Sequence, residues 1–151
     1  MTDLNIEISI PSDKDGFCLM QCPLCGGFFK LKPQDIEAED MIRIWCPNCG
    51  FESQNYFTED VIELALAKTE NMHTDAIFDS FNKLKRQNRN KNVSVKVNKP
   101  SHKHENPIIA GIELLDIQKY NCCQREAKIK PIVKLIGSYC PFCGVNDDGN
   151  H

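Results

Sequence analysis

Residues 140–144 read CPFCG, the third Cys-Pro-x-Cys-Gly turn of the chain after CPLCG at 22–26 and CPNCG at 46–50. A turn of this kind brings two thiols to one side and supplies half of a tetrahedral metal site. Two of the three turns can complete each other. What completes the third decides how the chain is organised.

CPLCG and CPNCG combine as Cys22-x2-Cys25-x20-Cys46-x2-Cys49, the spacing of a structural metal site made from two knuckles. Gly26 and Gly50 follow the second Cys of each knuckle, where the turn needs a positive φ. Four thiolates fill a tetrahedral ion and leave no open position, so the site is closed and structural rather than catalytic. Zn²⁺ is the expected ion, and iron fits the same four-thiolate cage because ligand softness and geometry overlap. The rival reading is a redox C-x-x-C. Such a pair precedes a helix whose dipole lowers the thiol pKa, whereas Cys25 is followed by GGFFKLK, a strand pattern.

Cys140 and Cys143 need two further ligands. The nearest thiols upstream are Cys122 and Cys123 in YNCCQREAKIK, giving Cys123-x16-Cys140-x2-Cys143. Adjacent residues of a strand point to opposite faces, so both can meet one ion only at a bend, which Gln124 and Arg125 would occupy. The expectation is a second, atypical site of Cys122, Cys123, Cys140 and Cys143, hence two Zn²⁺ per chain. His102, His104, His151 and Cys18 are the alternative ligands. Cys18 lies four residues before Cys22 and reads as a small buried hydrophobe.

The stretches FCLMQCPLCGGFFKL and RIWCPNCG, over about residues 16–52, resemble the zinc ribbons. The tandem CPxCG turns are similar to those of bacterial double zinc-ribbon proteins. The resemblance implies a β-rich fold around structural zinc. It implies no single function, since zinc ribbons occur in transcription factors, ribosomal proteins and topoisomerases.

Composition agrees with a folded chain. Of 151 residues 41% are hydrophobic, and nine are cysteines, an odd number that favours metal over disulfides. No apolar run approaches a membrane span, and MTDLNIEISIPSDKDG lacks a signal-peptide layout, so a soluble cytoplasmic protein without a membrane partner is expected. The net charge of −3 hides a polarity. Residues 1–82 hold 5 Lys/Arg against 15 Asp/Glu, while residues 83–104 hold 8 Lys/Arg and no acid. That basic block, with Lys85, Arg86, Arg89 and Lys91, is where phosphates of a nucleic acid would bind.

Along the chain, LNIEISI at 4–10 alternates with period two and reads as a strand. FCLMQ and FFKLK read as strands flanking the first knuckle, and RIW leads into the second. From Phe51 to Lys99 there is no Gly or Pro, and one long helix or two abutting ones are expected over about 58–87, capped by Thr58. Its Val61/Leu64/Ala65 and Ile77/Phe81/Leu84 faces should pack on the ribbons. Residues 88–107 read as a linker, with VSVKV as a short strand. IIAGIELLDIQKY and KIKPIVKLIGSY read as strands around the second cysteine group.

The fold class expected is α+β, two small ribbons joined by a helix and a basic linker. Its parts are an N-terminal zinc ribbon (1–57), the helix (58–87), the linker (88–107) and a C-terminal atypical ribbon (108–151). Asp116, Glu126 and Lys128 give D-x9-E-x-K, which resembles a nuclease core, but the segment is too short for that fold. No nucleophile–base pair, Gly-rich phosphate loop or open metal site is evident, so no enzymatic role and no small-molecule substrate are expected. The reading reached is a zinc-binding adaptor with a protein partner. The alternative is a nucleic-acid accessory acting through residues 83–104.

Overall fold

The structure is a computed structural model and describes residues 5–87, 96, 98–108, 111 and 114–147. It is mixed α and β, and it divides into two compact units. One comprises residues 10–59 and 108–151, the other residues 1–9 and 60–107.

The first unit is built on a sheet of four strands: β1 (Cys18–Gln21), β2 (Phe28–Leu31), β3 (Asp116–Lys119) and β4 (Glu126–Ile129). Their order is β1-β2-β4-β3, all antiparallel. FCLMQ and FFKLK thus form the expected strands. The central pairing, β2 with β4, joins the segment of the first knuckle to that of the CC pair, so the two cysteine groups share one sheet.

One face of the two central strands is apolar. Phe29, Leu31, Ala127 and Ile129 are fully buried there, with Tyr56, Tyr120 and Phe142 packed against them. Phe29 and Tyr56 meet edge to face at 5.6 Å, a favoured aromatic geometry. The other face carries Lys30 and Lys128, directly opposite each other and only 3% and 8% exposed. Like charges so placed repel. Asp13, in the loop before β1, resolves this by accepting from Lys30 Nζ at 3.1 Å and Lys128 Nζ at 2.7 Å. Asp15 takes a second contact to Lys128 at 2.7 Å, and the Lys128 ammonium lies 5.0 Å from the Phe17 ring centre.

RIW leads into the second knuckle, where Trp45 bridges Glu52. Other local expectations are corrected. KIKPIVKLIGSY is not strand throughout. After β4 it forms a helix, Pro131–Ile136, and then β5 (Ser138–Tyr139), which pairs with β6 (Asn146–Asp147). Pro131 suits the first helical position because its fixed φ matches and its missing N–H is not needed. Of IIAGIELLDIQKY only Asp116–Lys119 is strand, and residues 109, 110, 112 and 113 lie outside the described ones. A short helix at Pro33–Ile36 was not foreseen. In chain order the helices are α1 (Pro33–Ile36), α2 (Glu59–Gln87) and α3 (Pro131–Ile136).

In the second unit α2 is one long helix, the first of the two arrangements expected for this segment. Residues 5–9 do not form the expected strand, and Leu4 lies outside the described residues. Their alternation survives as burial, with Ile6 and Ile8 half-buried between exposed neighbours. Ile6 lines a hollow with Met72 of α2, so the apolar side meets a helix instead of another strand. Val61 is buried, but Ile77, Phe81 and Leu84 stay exposed at 57%, 47% and 52%, so that face is not buried as expected. VSVKV lies outside the described residues apart from Lys96.

Burial alone would push the Asp13 carboxyl up, yet hydrogen bonds from Lys128, Phe17 N–H, Lys30 and Asp15 N–H hold it well below the carboxylate range. A depressed folded pKa adds stability above the ordinary Asp value of about 4, which is lost as pH falls toward the folded value. Asp13→Asn should therefore cost about 3 kcal/mol at neutral pH, the low end for breaking a buried pair, because Asp15 still holds Lys128. Denaturant unfolding of the metal-loaded protein checks this. The gap to the parent should narrow in acid.

Candidate metal centres

The first centre grows from the β1–β2 hairpin and the turn at 46–50. Cys22 N donates to Gly27 O at 2.9 Å and Gly26 N to Cys22 O at 2.9 Å, closing the first knuckle. The second repeats the pattern, Cys46 N to Phe51 O at 2.9 Å and Gly50 N to Cys46 O at 2.8 Å. The sulfurs of Cys22, Cys25, Cys46 and Cys49 all lie within 4.8 Å of one another, with Cys22–Cys49 at 3.8 Å and Cys25–Cys46 at 3.6 Å. Thiolates about 2.3 Å from a tetrahedral zinc stand about 3.8 Å apart. The donor set therefore fits one such ion.

The second centre gathers Cys122, Cys123, Cys140 and Cys143, again within 4.8 Å, with Cys123–Cys140 at 3.7 Å. Tyr120 N donates to Arg125 O and Gln124 N to Tyr120 O, while Cys140 N donates to Val145 O and Gly144 N to Cys140 O, all at 2.8–2.9 Å. The bend expected at Gln124 and Arg125 is present. Gln124 takes φ 60°, the left-handed region that Gly26 occupies at 72°. For a residue with a Cβ this costs about 1 kcal/mol, and ligands on both sides of the turn can hold it there.

The matching bonds reveal a relation that the sequence reading missed. The two halves are an internal repeat about a pseudo-two-fold axis at the Lys30–Lys128 pair. Pairing of Leu31 with Ala127 obeys it, as do the reciprocal bonds Trp45 N to Pro141 O and Tyr139 N to Pro47 O, both 3.0 Å. A Cβ at Gly50 would lie 2.9 Å from the Tyr139 ring, and one at Gly144 2.9 Å from the Trp45 ring. Both glycines are thus required by a close approach as well as by φ. The signal was legible: KLKP at 30–33 and KIKP at 128–131 hold equivalent places. In this alignment Cys123 matches Cys25, Tyr120 takes the place of Cys22, and Cys122 that of Leu24.

Burial pushes the Cys46, Cys49 and Cys140 thiols up, and takes Cys143 up to about 11. At Cys25 burial acts the same way, but the Gly27 N–H at 3.4 Å and the neighbouring thiols outweigh it and lower the group. Binding an ion therefore displaces protons, and affinity weakens as pH falls.

Other candidates lie elsewhere. Cys18 is half-buried against Ser12 Oγ at 3.5 Å and belongs to neither group. His102 pairs with Asp75 of α2 at 2.7 Å, His104 is exposed, and His151 is outside the described residues. Lys85 and Arg86 stand exposed in the last turn of α2, whereas Arg89 and Lys91 are outside the described residues. The D-x9-E-x-K trio does not converge. Asp116 opposes Ile129 and shares its face, while Glu126 and Lys128 point to the other and pair with Lys32 and Asp13.

Cys22→Ser or Cys49→Ser should release the ion of the first group and loosen the knuckles, since such binding is coupled to folding. Cys18→Ser should leave metal content and circular dichroism unchanged. Metal loss from Cys18→Ser alone would refute the ligand set. Compared with known family models, with curated proteins and with solved structures, the chain matches none.

Proposed function

We propose that the chain is a zinc protein whose two four-cysteine groups each hold one structural Zn²⁺, and that it works as a non-catalytic adaptor for a protein partner. The observation that carries this is the gathering of four thiols within 4.8 Å in each group, a donor set that fills a tetrahedral ion. A closed thiolate site organises a fold and offers a substrate no coordination site.

The remaining surface supports a protein partner. Ile132, Leu135 and Ile136 of α3 are exposed at 59%, 78% and 72%, and contiguous exposed apolar side chains are a mark of interaction surfaces. The rival reading places nucleic-acid phosphates on residues 83–104, where Lys83, Lys85 and Arg86 are exposed. Part of that block is already engaged, since Lys103 pairs with Glu70 at 2.6 Å.

Metal analysis of untagged protein should give two zinc ions per chain, and a visible thiolate-to-metal absorption band would point to iron instead. Anisotropy titrations with duplex DNA and with RNA should detect no binding at physiological salt. Binding that weakens by about 0.9 log units per tenfold salt for each phosphate neutralised, and that is relieved by Lys85→Gln, Arg86→Gln, Arg89→Gln and Lys91→Gln together, would establish the rival.

A further inference from the structure

The two-fold relation is broken at one ligand of the second group. In the first half the ion would be held by Cys22, which is 1% exposed and lies immediately after β1. Its equivalent is Tyr120, fully buried, with its hydroxyl 2.9 Å from Ser138 Oγ. The missing thiol is made up by Cys122, at the place of Leu24 on the outer side of the knuckle. Leu24 is 64% exposed, and Cys122 is exposed too.

We propose that Cys122 is a thiol-modification site, and that the second group is the one that gives up its ion when a soft electrophile arrives. The inference rests on the reading that both groups hold metal. A metal-bound thiolate keeps a lone pair for attack, and its reactivity depends on access and on hydrogen bonds that spread its charge. Cys25, the exposed ligand of the first group, has the Gly27 N–H against its sulfur at 3.4 Å. Its partner in that knuckle, Cys22, is shielded. In the second group the buried anchor has been exchanged for a ligand on the solvent side, and Cys143 is also exposed.

The step balances simply. The Cys122 sulfur attacks the carbon of an alkylating agent, the S–C bond forms, and the leaving group departs with its electron pair. The sulfur becomes a neutral thioether, its bond to the ion breaks, and the site loses one of its four negative ligands.

The probe is iodoacetamide on the native, metal-loaded protein, with a chromophoric zinc chelator reporting released ion and peptide mapping reporting the labelled residue. Metal is counted first. Two ions at the outset, then release of one ion per chain in step with Cys122 labelling, on the order of tenfold faster than the second ion, is the expected result. A single ion at the outset with Cys122 unligated would overturn both the two-ion reading and this inference. Two ions that leave together, or labelling of Cys25 or Cys143 before Cys122, would overturn the inference alone. The double variant Tyr120→Cys, Cys122→Leu restores the arrangement of the first knuckle and should remove the fast phase. If that variant does not fold, the mapping on the native protein decides by itself.

Discussion

Lys30 and Lys128 face each other on adjacent central strands, and Asp13, between their ammonium groups, holds the four-stranded sheet together at that pairing. Two buried cations in register would otherwise drive β2 and β4 apart. The carboxylate reverses the sign of that contact, and the apolar side of the same strands then closes over Phe29, Leu31, Ala127 and Ile129. Both metal groups hang from these strands. One knuckle of each group, Cys22–Gly27 in the first and Tyr120–Arg125 in the second, runs directly into β2 or β4, so half of each group is carried by a junction that contains no cysteine.

This dependence explains what could be read in advance. A CPxCG knuckle is local chemistry: five residues specify the turn, the thiols and the glycine conformation. The ligand pairs of the first group and the hairpin strands around them follow from it. Helix α2 was equally legible because its signal, 29 residues without Gly or Pro, is also local. The β2–β4 pairing joins residues 98 positions apart, Lys30 to Lys128, and no local pattern announces a partner at that distance. The same blindness misread LNIEISI, where the alternation is real and the partner is a helix. It also misread PIVKLI, whose β-branched composition suggests a strand while Pro131 opens a helical turn.

The basic block shows how charge counted along a sequence differs from charge displayed. Its C-terminal end runs along α2 as a bound segment. Asn71, 8% exposed, accepts from Lys103 N at 2.8 Å and donates to Lys103 O at 3.0 Å and Glu105 Oε1 at 3.1 Å. A side-chain amide that satisfies both main-chain groups of one residue fixes the segment without reading its side chains. Lys68 to Glu105 at 3.4 Å, Lys103 to Glu70 at 2.6 Å and His102 to Asp75 at 2.7 Å then cross between helix and segment. These exposed pairs add little energy each. Their effect is on what a polyanion would find, because part of the positive charge is answered within its own unit.

The CC pair shows which property of a knuckle a metal group requires. C-x-x-C is usually taken as the specification, yet the second group assembles four thiols within the same 4.8 Å without it in one turn. What the two turns share is the hydrogen-bonded loop from Cys22 to Gly27 and from Tyr120 to Arg125, with a left-handed residue at Gly26 and at Gln124. That bend swings successive side chains to one side, so a thiol two positions further along joins the other three in place of the one that Tyr120 displaced. The turn is therefore the constraint, and the cysteine spacing is one of the solutions it admits. The solution adopted by the second group moves a ligand from the core to the surface while keeping the ligand count. The two halves can thus share a fold and differ in how much of their thiol cluster faces solvent.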